Sequence, residues 1–132
     1  MSKAKILVVE DEWIVANQIC MNLEKSSYNV LKPVSTGEEA IAAIAAEKPD
    51  LVIMDIMLRG ELDGIETAGR IVDQFDIPVI YLTAYSNLDL LERAKKTKPY
   101  CYLIKPFDVA TLRSNIEMVL HKHAADKKLK DN

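Results

Sequence analysis

Five short apolar runs alternate with five stretches of helical periodicity, and this alternation leaves few folds open to the chain. The runs occupy residues 5–9, 28–34, 51–54, 78–82 and 100–104. Each is followed by a segment whose apolar residues recur at three and four. Strict strand-helix alternation argues for an α/β domain with a parallel sheet, right-handed crossovers and helices on both faces. The run Leu51-Val52-Ile53-Met54 is apolar throughout, as expected of a strand covered on both sides. It ends in Asp55, an acid that would be costly in a core without a partner or a metal.

The helices carry local punctuation. Val15, Ile19 and Leu23 fall four apart, and Ala16 and Cys20 widen their stripe, which predicts a helix over 13–25. Thr36-Gly37-Glu38-Glu39 has the Thr-to-Glu spacing of a capping box. It opens a second helix with Ala40, Ile41, Ile44 and Ala45 on one face, ended by Lys48-Pro49. Asp63-Gly64-Ile65-Glu66 repeats the cap spacing and starts a third helix to about Phe75. Asn87 is the expected cap of a short fourth helix over Leu88, Leu91 and Ala94. Asp108 caps a fifth with Leu112, Ile116, Val119 and Leu120 on one side. Pro33 places the second strand at a sheet edge, because proline cannot donate to the ladder. From His121 the stripe stops. Residues 123–132 are expected to be a polar tail or the start of a linker, with His121 and His123 exposed and holding no metal.

Composition narrows the class. A chain of 132 residues is expected to form one domain with enough core to dispense with disulfides. Cys20 and Cys101 are far apart and lack CxxC spacing, so they read as small buried thiols of a reducing compartment. The net charge of −3 argues weakly against a nucleic-acid surface. No run reaches membrane-span length and the N-terminus lacks a signal-peptide core, which points to a cytoplasmic location without membrane contact.

In a parallel sheet the carboxyl ends of the strands line one crevice, where ligands bind. The residues at those ends are Glu10 and Asp11, Asp55, Thr83 and Lys105. Three carboxylates about 4 Å apart repel by on the order of 1–4 kcal/mol per pair. A hard divalent cation with oxygen ligands removes that cost, and magnesium suits a site that keeps waters and phosphate oxygens. One carboxylate can then act as a nucleophile toward phosphorus. Lys105 would supply further positive charge, and the Thr83 hydroxyl a hydrogen bond.

Taken singly, these residues have plainer readings. The acids at 10–12 can complement a helix dipole, and that reading is kept for Glu12. Thr83 and Lys105 alone would be an ordinary hydroxyl and a solvated lysine; their joint placement at the strand ends speaks against coincidence. Trp13 is a packing or rim residue. A phosphatase with an aspartyl nucleophile would want an acid at position 57, which is Met. The GxxxxGK[ST] loop of P-loop enzymes is absent, and the first strand leads into Glu-Asp-Glu instead of a glycine-rich turn. The remaining competitor is a module that binds partners without being phosphorylated.

The chain closely resembles the receiver domain of two-component response regulators over residues 3–122. The resemblance is carried by Leu7-Val8-Val9-Glu10-Asp11-Glu12, Val52-Ile53-Met54-Asp55, Asp63-Gly64, Leu82-Thr83-Ala84 and Tyr102-Leu103-Ile104-Lys105-Pro106-Phe107. It implies a flavodoxin-like, doubly wound (βα)5 fold with strand order 2-1-3-4-5. The first and fifth helices would lie on one face and the second to fourth on the other. It further implies that Asp55 accepts a phosphoryl group from a sensor histidine kinase or phosphotransfer protein. Mg2+ would be held by Glu10, Asp11, Asp55 and the backbone carbonyl of Met57. Thr83 would bond the phosphoryl group, Lys105 would pair with it or with the acceptor, and the Lys105-Pro106 bond would be cis. Tyr102 would be an aromatic switch. Output would leave through the fourth helix, fifth strand and fifth helix, to an output domain or protein, and a homodimer is a further expected partner state. Such a domain is a switch that assists its own phosphorylation and dephosphorylation, not a metabolic enzyme. Two departures stand out. Glu10 replaces the commoner Asp, and the loop 56–62 is one residue longer than the usual form, with Arg59 where many members have Pro. Met57 and Tyr85 occupy positions that vary the rate of phosphoryl loss within the family.

Overall fold

The computed structural model describes residues 4–58, 63–84 and 89–131. Tyr85, the expected cap Asn87 with Leu88, and Arg59 to Leu62 of the lengthened loop lie outside the described residues. In chain order the elements are β1 Lys5–Val9, α1 Trp13–Lys25, β2 Asn29–Val30, α2 Gly37–Glu47, β3 Leu51–Asp55 and α3 Gly64–Phe75. Then follow β4 Val79–Thr83, α4 Leu91–Ala94, a 3-10 turn Lys95–Thr97, β5 Cys101–Ile104 and α5 Val109–Asp131. All strand pairs are parallel, in the order β2-β1-β3-β4-β5. The fold class, strand order and helix distribution are as expected.

Strand parity sorts the core into two layers. Ile6 and Val8 of β1, Leu51 and Ile53 of β3, and Ile80 and Leu82 of β4 pack with Ile19 and Leu23 of α1 and Leu112, Ile116 and Val119 of α5. Leu7, Val9, Val52, Met54, Val79 and Tyr81 face Ala40 and Ile44 of α2, Ala68 and Ile71 of α3, and Leu91 and Ala94 of α4. β1, β3 and β4 are therefore buried on both faces.

The caps act as their spacing predicts. The Thr36 hydroxyl accepts a hydrogen bond from the Glu39 amide at 3.1 Å, and the Glu39 carboxylate accepts from the Ser35 and Thr36 hydroxyls at 3.0 and 3.1 Å. Thr36→Ala is expected to cost about 1 kcal/mol, read as a lower urea midpoint at unchanged m-value. Asp63 caps α3 through the Glu66 amide at 2.8 Å. Lys48 and Lys98 end their helical segments at φ 49° and 55°. Each precedes a proline, whose ring disfavours the right-handed helical conformation of the residue before it.

Three expectations need correction. The second strand was expected over 28–34 but pairs regularly only at Asn29–Val30. Pro33 has no N–H, so the ladder lapses and Val34 rejoins Val9 in an isolated bridge. The short fourth helix, by contrast, ends at Ala94 as expected, and the chain tightens into the 3-10 turn ahead of Lys98-Pro99. Cys101 is only partly buried, whereas Cys20 is buried. His123 is not an exposed tail residue: α5 continues past it to Asp131. Its ring meets Tyr100 edge-on at 5.9 Å, its Nε2 lies 3.4 Å from Asp76, and the Tyr100 hydroxyl donates to Asp126 at 2.8 Å. These contacts hold a stretch whose own sequence is too polar to dock by burial. No described helix is long and apolar enough to cross a membrane.

Candidate phosphoryl and metal site

The site is assembled by the C-terminal ends of β1, β3, β4 and β5. In-register pairing sets Val9 beside Met54 and Asp55 beside Leu82, so Glu10 and Asp11 emerge next to the end of β3. The Ile56 amide donates to the Leu82 carbonyl at 3.0 Å, and the Lys105 amide to the Thr83 carbonyl at 2.7 Å. The first bond carries the ladder one residue past Asp55, and the second ties Lys105 directly to Thr83 at the end of β4. The Lys105-Pro106 peptide is cis.

Glu10, Asp11 and Asp55 each offer a carboxylate oxygen within 4.8 Å of the other two. Glu10 is 2 % exposed and Asp55 5 %. Asp55 Oδ1 accepts from the Met57 amide at 2.9 Å, and its Oδ2 lies 3.4 Å from Lys105 Nζ. The same ammonium lies 3.4 Å from Glu10 Oε2. Burial, and then the facing Asp55 carboxyl, push Glu10 up to about 8, against the opposing pull of Lys105. Burial pulls Lys105 down, but Asp55 and Glu10 more than offset it and leave the ammonium above its ordinary value. One lysine thus does not neutralise the acid cluster. An acid driven up by a second carboxyl is the mark of a site short of positive charge. Three clustered oxygen donors, two of them buried, fit a hard divalent ion.

A pocket of about 500 Å³ opens onto these groups, lined by Asp11, Glu12, Asp55, Met57, Leu58, Ala84 and Lys105. Thr83 is 1 % exposed and its hydroxyl donates to the Ala84 carbonyl at 3.2 Å, a single long bond that the hydroxyl can exchange for another acceptor. Tyr102, on β5, is 46 % exposed and Met57 51 %. Trp13, expected as a packing or rim residue, stands 73 % exposed at the start of α1.

Gly64 enters the sequence reading only within the Asp63-Gly64 pair, as the residue after the α3 cap and as part of the resemblance, and the structure adds its close approach to the end of β3. A Cβ at this position would collide with the Asp55 carbonyl oxygen and press on Ile56 Cα and O at 3.0 Å. The first turn of α3 therefore lies directly against the end of β3. The Asp-Gly pair marked a helix start, but nothing local to it records the approach of β3.

Comparison with known proteins places these residues in context. The model of the response regulator receiver domain matches residues 6–117. The transcriptional regulatory protein PdtaR of Mycobacterium tuberculosis is 34 % identical over 118 residues, covering 89 % of this chain and 57 % of that protein. The chain spans about half the length of the first such relatives. Sporulation initiation phosphotransferase F of Bacillus subtilis is 32 % identical over 125 residues, covering 91 % of this chain and 96 % of that one. Among solved structures, the signal receiver domain of a modulated diguanylate cyclase from Desulfovibrio desulfuricans G20 superposes with a TM-score of 0.90 at 37 % identity, covering 95 % of this chain and 99 % of that one.

Proposed function

The chain belongs to the family of response regulator receiver domains, and from that premise we propose that it is a phosphorylation-operated switch with Asp55 as acceptor. The observation that carries this reading is the meeting of three carboxylates with Lys105 at one end of the sheet. Glu10, Asp11, Asp55 and the backbone carbonyl of Met57 would hold Mg2+, which when bound neutralises charge on the transferring phosphoryl oxygens.

On this reading a carboxylate oxygen of Asp55 attacks the phosphorus of a phosphohistidine on a sensor histidine kinase or phosphotransfer protein. An O–P bond forms and the P–N bond breaks. The electron pair returns to the imidazole nitrogen, which then takes up a proton. The Met57 N–H holds the Asp55 carboxylate in place, and Lys105 offsets charge that builds on acceptor and phosphoryl oxygens. The Thr83 hydroxyl turns from the Ala84 carbonyl to a phosphoryl oxygen, and Tyr102 follows inward from its exposed position. Output leaves through the α4-β5-α5 face to an output domain or a separate protein. To move the active form from rare to dominant, phosphoryl contacts must favour it by about 5.5 kcal/mol. The setting is cytoplasmic, and nucleic acid is not a direct partner.

Incubation with acetyl phosphate and magnesium is expected to add one phosphoryl group, read by intact mass. Excess EDTA is expected to prevent it. Absence of the adduct, while a control receiver is labelled in parallel, would favour a module that binds partners without phosphorylation.

A further inference from the structure

Tyr81 sits in the middle of β4 and is fully buried on the α3–α4 side of the sheet. Its hydroxyl lies 2.7 Å from Thr97 Oγ1, in the 3-10 turn that finishes α4. Thr97 Oγ1 is also 2.6 Å from the carbonyl oxygen of Ala94. A threonine hydroxyl has one proton, and the carbonyl can only accept, so Thr97 donates to Ala94. Tyr81 must then donate to Thr97. The bonds run in one direction, from the centre of β4 to the last residue of α4.

The seat of Thr97 is shaped from a second side. A Cβ at Gly69 of α3 would lie 3.5 Å from the Thr97 methyl, so α3 and β4 together locate the turn. Burial pushes the Tyr81 phenol up to about 12, which keeps it a donor. Arg93 of α4 also reaches Asp63 at 3.2 Å, but that pair is largely solvent-exposed and holds little. Tyr81 and Thr83 are two apart on one strand and share a face.

We propose that Tyr81 is a positioning residue of the switch, its hydroxyl latching the end of α4, through Thr97, to the strand that carries Thr83. The latch holds α4 in the arrangement of the unphosphorylated chain; this rests on the reading of the chain as a phosphorylation-operated switch. Moving the turn off β4 strands a buried phenol without a partner, which is unfavourable. α4 therefore leaves its seat as a unit rather than by degrees. Neither residue touches the carboxylates, so the latch acts through the position of α4 alone.

The test compares wild type with Tyr81→Phe, Thr97→Val and the double variant. Both changes preserve side-chain shape. Amide hydrogen exchange in residues 91–98 is expected to quicken roughly two- to tenfold in Tyr81→Phe, the range that one net hydrogen bond allows. Exchange in α2 and β1 is expected to follow only the change in global stability. The double variant should match Thr97→Val, since the two residues share one bond. Phosphoryl uptake from acetyl phosphate with magnesium should rise severalfold in Tyr81→Phe, because more of the unphosphorylated chain occupies the active form. Unchanged exchange at α4, or additive effects in the double variant, would overturn the latch. So would an uptake rate equal to that of a wild type that is itself labelled. If wild type takes up no phosphoryl group, the switch reading fails, and the exchange measurements still decide whether the latch exists.

Discussion

Asp55→Asn is expected to remain unmodified under conditions in which the wild type gains one phosphoryl group. The substitution keeps the size of the side chain and an oxygen that can accept the Met57 amide, which now lies 2.9 Å from Asp55 Oδ1. What it removes is the anionic nucleophile. Loss of a nucleophile typically lowers rate by several orders of magnitude, so the adduct should fall below detection by intact mass. The variant should still fold, because it removes one of three converging carboxylates and leaves both core layers untouched. Glu10 remains for Lys105 to pair with. A variant that unfolds in urea like the wild type yet carries a phosphoryl group would move the acceptor to Glu10, Asp11 or elsewhere, and would sink the assignment of Asp55.

The second large effect falls on a residue with no functional group. Gly64→Ala places a methyl group against the Asp55 carbonyl and the Ile56 backbone. Backbone atoms cannot rotate away as a side-chain end can, so either α3 lifts or the end of β3 bends. Overpacking of buried sites costs about 1–3 kcal/mol, and a collision with main chain belongs at or above the top of that range. Because the displaced peptide follows Asp55, phosphoryl uptake is expected to fall together with the urea midpoint. Gly69→Ala is the matched control on the same helix. Its Cβ would meet only the Thr97 methyl, at an ordinary 3.5 Å. Replacing a mid-helix glycine relieves up to about 1 kcal/mol of helix propensity, so that variant should be as stable as wild type or more so. Equal destabilisation by both substitutions would show that the close approach at Gly64 is not what limits the site.

The elements read most faithfully from sequence are those whose ends are marked by short-range chemistry. α1 begins and ends where its apolar stripe does, and α3 begins at the Asp63 cap and closes at Phe75. Elements whose ends depend on neighbours were less legible. β2 is shortened by a proline that interrupts its pairing with β1. α5 is prolonged beyond its apolar stripe and held there by Asp76, Tyr100 and Asp126.

The same division runs through the candidate site. By itself the sequence determined the α/β class, the acids at the ends of the first and third strands, and Thr83 and Lys105 at the ends of the fourth and fifth. Those follow from hydrophobic periodicity and from the polar residues that close each run, which are properties of neighbours along the chain. Only the tertiary structure decided that three carboxylates come within 4.8 Å, that Lys105 spans Glu10 and Asp55, and that burial lifts Glu10 to about 8. It also decided that Gly64 touches the backbone of Asp55 and that Tyr81 reaches Thr97. The reason is physical. Residues 10, 55 and 105 are brought together by the register of parallel strands, and residues 81 and 97 by the packing of a turn against a sheet. Those distances depend on which strands pair and how closely helices approach, and no spacing along the chain records them.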